Sequence, residues 1–240
     1  MGAPQIFVVL TSGVHARSLP QPIKRWLSRG AVSARATERE LLLDVLGAVG
    51  VAPPAAGLAA LRYHGQTGKV PTGWLAAADP MHLETRLRHL VLRPFQSGDV
   101  KAEEMDAILA SVRSAFPDDG LAFEQADSRG YLRTDRPIAT AACSAECAGG
   151  RLPDEFMPAG ADAAAFHRLQ SEIQMLLHEH PVKEARRQRG QLVINTLWLW
   201  GGGTAGEAVT MKLPALVGDD PLFQGFWSRA GQRASGWSAD

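Results

Sequence analysis

A proline set between two helical patterns, followed by an apolar run and three glycines, constrains this chain more than any other stretch. From Phe166 to Gly203 the sequence reads FHRLQSEIQMLLHEHPVKEARRQRGQLVINTLWLWGGG. Phe166, Leu169, Ile173, Leu176 and Leu177 share one helical face, the spacing of a helix laid on a core. Pro181 cannot continue that helix and pushes His180 towards extended geometry. A proline suits a first helical turn, so a second, basic helix is predicted from Val182 to Arg189, with Gly190 as its stop. Val193 to Trp200 is then apolar on both alternating faces, apart from Asn195 and Thr196. That pattern predicts a strand covered on both sides, the usual condition of a parallel strand in an α/β sheet. Gly201, Gly202 and Gly203 follow at its C-terminal end, where open α/β sheets place their ligands.

Upstream, Gln5 to Leu10 (QIFVVL) predicts a short buried strand leading into Thr11-Ser12-Gly13-Val14-His15. A short helix is expected around Ile23 to Leu27. Thr37 with Glu40 makes a capping-box pattern ahead of a helix at Glu38 to Val49, and Gly57 to Tyr63 suggests another helix. Trp74 to Ala78 reads as a strand running into Asp79-Pro80-Met81-His82, which places Asp79 and His82 at a strand end. Arg88 to Phe95 reads as a strand, Lys101 to Phe116 as a helix, and Leu121 to Glu124 and Gly130 to Arg133 as strands joined by a tight turn. The stretch from Ile138 to Pro158 is loop-like, and Asp162 is a candidate cap for the long helix. Ala208 to Leu213 is a possible strand, Asp219-Asp220-Pro221 opens a last short helix, and the tail from Ser228 is expected to fray.

The expected fold class is therefore α/β, with a mostly parallel central sheet, flanking helices and a small α+β inserted module. Residues 1–78 and 136–240 would form the core domain and 79–135 the insert.

Charge and cysteine content narrow the function. Twenty-five basic residues balance 25 acidic ones, so no overall field recruits nucleic acid or an anionic membrane. The apolar run near the N-terminus is too short to span a bilayer and lacks a basic flank, so a soluble cytoplasmic protein is expected. The two cysteines, Cys143 and Cys147, are too few for a disulfide framework, and CSAEC lacks a second ligand pair for zinc; ordinary reduced thiols are expected.

Several residues invite a chemical reading. Lys183, Arg186, Arg187 and Arg189 give one short helix a strong positive excess, either a solvated face or an anion site, since arginine forks match phosphate and carboxylate. His178 and His180 flank a glutamate, but residues two apart point to different helix faces, so this is not the HExxH zinc signature. One of these two histidines could join a metal site with Asp79 or Asp219, or both could simply be hydrogen-bonded. WGGG lacks the GK[ST] of a nucleotide P-loop. Trp198 and Trp200 share one strand face and read as core. The candidate ligand-binding set is Asp79, His82, His180, Arg186, Arg187, Asn195, Gly201, Gly202 and Gly203. No catalytic residue, metal ligand or cofactor is assigned. The partner expected is an anionic small molecule or a protein, and no oligomeric state is implied.

HEHPVKEARRQRG followed by INTLWLWGGG, with AADPMHL near Ala77 and GDDPLFQGF near Gly218, resembles the bacterial RpfE-type regulatory proteins, often labelled phosphoglycerate mutase. Their pattern is roughly HEHPVNxARxxRGxxPVNSLWLWGGG, and Lys183 stands here where the asparagine is usual. More distantly the region resembles archaeal-type cofactor-independent phosphoglycerate mutases, which belong to an alkaline-phosphatase-like scaffold. That resemblance implies two metals held by aspartates and histidines, a serine phospho-acceptor, and a small capping module to which residues around 79–135 would correspond. The aspartate-rich DGLGD loop of those enzymes has no counterpart here, because no acid precedes Glu38, and no histidine follows Gly203. Thr11 or Ser12 as a nucleophile would lack a visible metal ligand, and a plain strand-to-loop turn is the alternative. The expectation is a pseudoenzyme with a regulatory or ligand-binding role; a binding module alone and an active mutase or phosphatase are the alternatives.

Overall fold

A computed structural model of the chain describes residues 21–29, 40–86, 89–96, 98–117, 120–160, 163–208 and 210–236. The strand expected at Gln5 to Leu10, the loop after it, and the caps at Thr37 and Asp162 lie outside the described residues. The chain divides into two units, Met1–Thr37 and Glu38–Asp240. In the first, Gln21–Leu27 forms helix α1, close to the short helix expected there.

The second unit is built on a five-stranded sheet. Its strands are β1 (Leu75–Thr85), β2 (Leu90–Pro94), β3 (Leu121–Ala126), β4 (Arg129–Thr134) and β5 (Thr196–Gly203). The long strand β1 is its axis. Ala77 and Ala78 pair with both β4 and β5, which therefore occupy opposite edges of β1. Met81 pairs with both β2 and β5, so β2 continues along the edge that β4 begins. β3 lies outside β4.

Every ladder in this sheet is antiparallel, which overturns the expected mostly parallel sheet. The apolar run before the glycine turn is covered on both faces, as expected, but β5 runs opposite to β1. Double burial reports only that both faces are covered. Strand direction comes from the connections: β1 to β2 and β3 to β4 are joined by links far too short for a parallel crossover. A parallel pair does occur in the small second sheet of β6 (Leu216–Val217) and β7 (Ala234–Ser235), downstream of the strand expected at Ala208 to Leu213.

Seven helices of this unit are described: α2 (Leu41–Ala48), α3 (Leu58–Thr67), α4 (Ala102–Ala115), α5 (Ala145–Ala148), α6 (Ala164–His178), α7 (Pro181–Gln188) and α8 (Pro221–Arg229). They cover the sheet on both sides. On one face, residues of α2, α3 and α8 form a core with Leu75, Ala77, Met81, Tyr131, Trp198 and Trp200. On the other, α4 and α6 pack with Ala78, Leu132, Leu197 and Leu199. The two-residue strand period thus sends the tryptophans of β5 to one core and its leucines to the other. Trp198 is fully buried, and its Nε1–H donates to the Cys143 carbonyl at 2.9 Å.

Helices α3 and α8 cross at backbone contact because each presents a glycine. A Cβ at Gly225 would sit 1.8 Å from the Leu61 carbonyl oxygen, and one at Gly65 would sit 1.9 Å from that of Pro221. The break at Pro181 behaves as the sequence suggests. His180 is the N-cap of α7, its Nδ1 accepting the Val182 N–H at 3.2 Å, and Gly190 follows the helix at φ 66°.

Residues 79–135 supply most of β1 and all of β2, β3 and β4 to the same sheet that holds β5. Among the described residues, no helix is long and apolar enough to cross a membrane.

Candidate functional site

Asp79 does not end a strand; β1 continues through it to Thr85. The strand period turns its carboxylate to the same face as Ala77 and Met81, beneath α3. There Arg62 meets it with a two-pronged ion pair, Nη1 to Oδ2 at 2.7 Å and Nη2 to Oδ1 at 2.9 Å. Trp200 donates its Nε1–H to Oδ2 at 2.6 Å, and the Arg129 guanidinium stands 3.7 Å from Oδ1. Arg62 also donates from Nε to the Tyr131 hydroxyl at 2.9 Å, and that hydroxyl donates to the Gln66 side-chain oxygen. The guanidinium carbon lies 4.9 Å from the Tyr131 ring centre and 5.1 Å from that of Trp200, a second source of attraction for its charge. Arg129 completes the chain by bonding Glu146 at 2.7 Å.

Asp79 is wholly inaccessible to solvent. Burial alone would raise its carboxyl, but the positive charges of Arg62 and then Arg129 outweigh burial and hold it below the usual carboxylate range. Burial likewise would lower Arg62, and Asp79 reverses that. Burial pushes the Tyr131 phenol up. The centre of the sheet therefore carries a satisfied, ionised pair with no proton to exchange near neutral pH. Arg62, Tyr131 and Arg129 were missed in the sequence, yet one signal was present: Arg62 lies one helical turn from Leu58 and Ala59, on the buried face of α3, where an arginine needs a partner.

The other candidate residues fall in three separate places. At the start of β5, His82 Nδ1–H donates to the Val193 carbonyl at 2.9 Å. Beside it, Asn195 imitates a strand neighbour: its Oδ1 accepts from the Leu83 N–H at 2.7 Å and its Nδ2 donates to the Leu83 carbonyl at 3.0 Å. The second place is α7 against α4. His180 Nε2 lies 2.9 Å from the Ser111 hydroxyl, and with Nδ1 occupied as acceptor the ring is the neutral Nε2–H tautomer. Burial lowers its pKa. Arg186 is buried, donating to the Leu192 and Asp99 carbonyls at 2.7 and 3.0 Å and to Glu104 at 2.6 Å, with its guanidinium over the Phe95 ring. Glu104 also takes Arg189 at 2.6 Å. Arg187 is exposed and, among the described residues, pairs along its own helix with Glu184 at 2.8 Å.

The third place is the glycine run at the far end of β5, which packs on the start of α3. Gly202 donates its N–H to the Thr140 hydroxyl at 3.1 Å, and the Gly57 N–H donates to the Gly202 carbonyl at 3.3 Å. A Cβ on Gly203 would lie 2.4 Å from the Gly57 nitrogen, and one on Gly201 would lie 2.9 Å from that of Ala59. With about 3.3 Å of rise per strand residue, the length of β5 stands between these glycines and the residues around its start.

One further cluster is visible only in the fold. Glu40, Cys143 and Cys147 each bring a ligand-type atom to within 4.8 Å of the others, and among the described residues no other group of three or more His, Cys, Asp or Glu side chains is so gathered.

No protein-family model matches the chain. It is distantly similar to cofactor-independent phosphoglycerate mutases. Over 148 residues it is 24% identical to the 2,3-bisphosphoglycerate-independent phosphoglycerate mutase of Methanosarcina acetivorans, covering 58% of this chain and 37% of that enzyme. The counterpart from Methanosarcina barkeri is 23% identical over 124 residues, covering 50% of this chain and 31% of that enzyme. The chain thus aligns with only about a third of these relatives' length. Among solved structures, the PH0037 protein of Pyrococcus horikoshii superposes with a TM-score of 0.45 at 16% identity, over 85% of this chain and 48% of that one. The cofactor-independent phosphoglycerate mutase of Thermoplasma acidophilum gives 0.43 at 19%, over 76% of this chain and 51% of that one.

Proposed function

We propose that this chain is a non-catalytic regulatory protein of the RpfE type, on a phosphoglycerate-mutase-like scaffold, acting by binding and not by metal-dependent phosphoryl transfer. The observation that carries the reading is the use made of Asp79. The carboxylate at the middle of the central strand is closed off by Arg62 and Trp200, with Arg129 nearby, and is held as part of the fold. His82, His180 and Arg186 are likewise tied into backbone and side-chain hydrogen bonds in different places. The acid-free sequence up to Thr37 supports the same reading.

The binding surface falls to the outer face of α7. Arg186 is turned inward, whereas Arg187 is exposed, and its charge would draw an acidic small molecule or an acidic patch of a protein partner.

Two measurements test this. Purified protein supplied with manganese or cobalt should not interconvert phosphoglycerates; metal-dependent turnover would overturn the non-catalytic reading. Calorimetric titration with phosphate and phosphorylated three-carbon acids should give heat that falls in Arg187→Ala. Equal heat from both proteins would remove α7 as the anion contact.

A further inference from the structure

The cysteine pair that sequence spacing left as ordinary thiols acquires a third neighbour in the fold. Cys143 precedes the single-turn helix α5, and Cys147 lies one helical turn further on. Ser144 between them is the cap of that turn, its hydroxyl accepting the Cys147 N–H at 3.2 Å, so the two sulfur-bearing residues are held on one side of a fixed loop. The Trp198 indole anchors the same loop through the Cys143 carbonyl. Glu40, at the entry to α2, reaches across and accepts the Ser144 N–H with Oε1. Cys143 is fully buried, Glu40 nearly so, and Cys147 only half-buried.

We propose that Glu40, Cys143 and Cys147 form a three-ligand site for a thiophilic divalent cation of the zinc class, with its fourth position open on the Cys147 side. The distances suit it. A tetrahedral zinc with bonds of about 2.3 Å to sulfur and about 2.0–2.2 Å to oxygen needs its ligand atoms less than about 4 Å apart. The present separations, all within 4.8 Å, close to that value with small side-chain rotations. The Ser144 N–H on Glu40 supplies the orienting hydrogen bond that ligating carboxylates commonly have.

A divalent cation displaces the two thiol protons to solvent and is held by two thiolates and the Glu40 carboxylate. The set is sulfur-rich, so it favours zinc over magnesium or manganese. This inference does not depend on the proposed function.

The test uses the full chain, reduced and freed of metal, titrated with cobalt(II) as a coloured stand-in for zinc. The expected result is one cobalt per chain, a near-ultraviolet thiolate-to-cobalt absorption, its loss on adding zinc, and a higher Tm with zinc present. Cys147→Ser, at a half-buried position, should keep the fold by circular dichroism and weaken cobalt binding by more than about 100-fold, beyond the loss of an outer partner. Glu40→Gln should keep a thiolate band and bind at least about tenfold more weakly. Cys143→Ser serves as a further check where it folds. Absence of the band in the reduced wild-type protein would overturn the proposal, as would a band undiminished in Cys147→Ser or unchanged affinity in Glu40→Gln. So would isolation of a stable Cys143–Cys147 disulfide whose reduced form takes up no metal.

Discussion

Asp79 and Arg62 together hold a full charge pair in the buried interior. Such a pair adds little net stability compared with an apolar pair of the same volume, but removing one member strands the other's charge. Arg62→Met or Asp79→Asn should therefore cost about 3–5 kcal/mol in chemical denaturation, whereas a double apolar replacement should recover much of that loss. A single substitution that leaves the midpoint unchanged would mean that the pair does not form in solution. His180 adds a pH dependence of opposite origin. Burial lowers its pKa, so between that lowered value and the ordinary one near about 6.5 the unfolded chain holds more protons than the folded one. Stability is then fully present above about 6.5 and declines as pH falls through the window below it. Tm measured against pH should show this slope, and His180→Asn, which keeps a capping side chain, should flatten it. An identical slope in the variant would exclude His180 as its source.

At the scale of elements, the glycines have uses that differ by position. In the α3–α8 crossing they permit backbone contact, and there the space decides the outcome of any substitution. Gly225→Ala places a methyl 1.8 Å from the Leu61 carbonyl, which α3 cannot relieve by turning a side chain. The expected cost is about 1–3 kcal/mol, towards the upper end, because two helices must separate to relieve the overlap. Gly68→Ala is a useful contrast at the end of α3: no atom lies within 4 Å, but φ is 70°, so its cost comes from backbone strain without any shift of α8. Thermal unfolding of both variants separates the two origins when paired with near-ultraviolet dichroism of Trp227, which packs in the core beside this crossing. Equal spectra in both would argue against the close crossing.

At the scale of the molecule, the sheet is shared by distant parts of the chain. β5 pairs with β1 across more than a hundred residues, and β2, β3 and β4 come from the stretch between them. Excising residues 79–135 with a short linker should therefore abolish cooperative thermal unfolding, because β1 would lose most of its length together with its partners on one edge. A sharp transition retained by the protein lacking 79–135 would show that the remainder folds without that stretch.

How much of this was legible beforehand follows from the range of the forces involved. The proline break, the basic helix with its glycine stop, the α6 stripe and the burial of Trp198 and Trp200 are local, set by backbone sterics and by periodicities of 3.6 and 2 residues. Those could be read directly from residues 166–203. The direction of β5 could not, because an apolar strand looks the same whether its neighbour runs with it or against it, and the β1–β5 ladder joins segments far apart in sequence. The same limit applies to the candidate site. Asp79 was identifiable as unusual, but its partner lies on α3 and its environment on β4 and β5. Arg186 read as a free cation until Glu104 and the Asp99 carbonyl were brought to it by α4. Glu40 showed no relation to the cysteines at all. Local composition determined which groups this protein owns, and only tertiary packing decided which charges meet, because Coulombic and hydrogen-bond partners are chosen by distance in space.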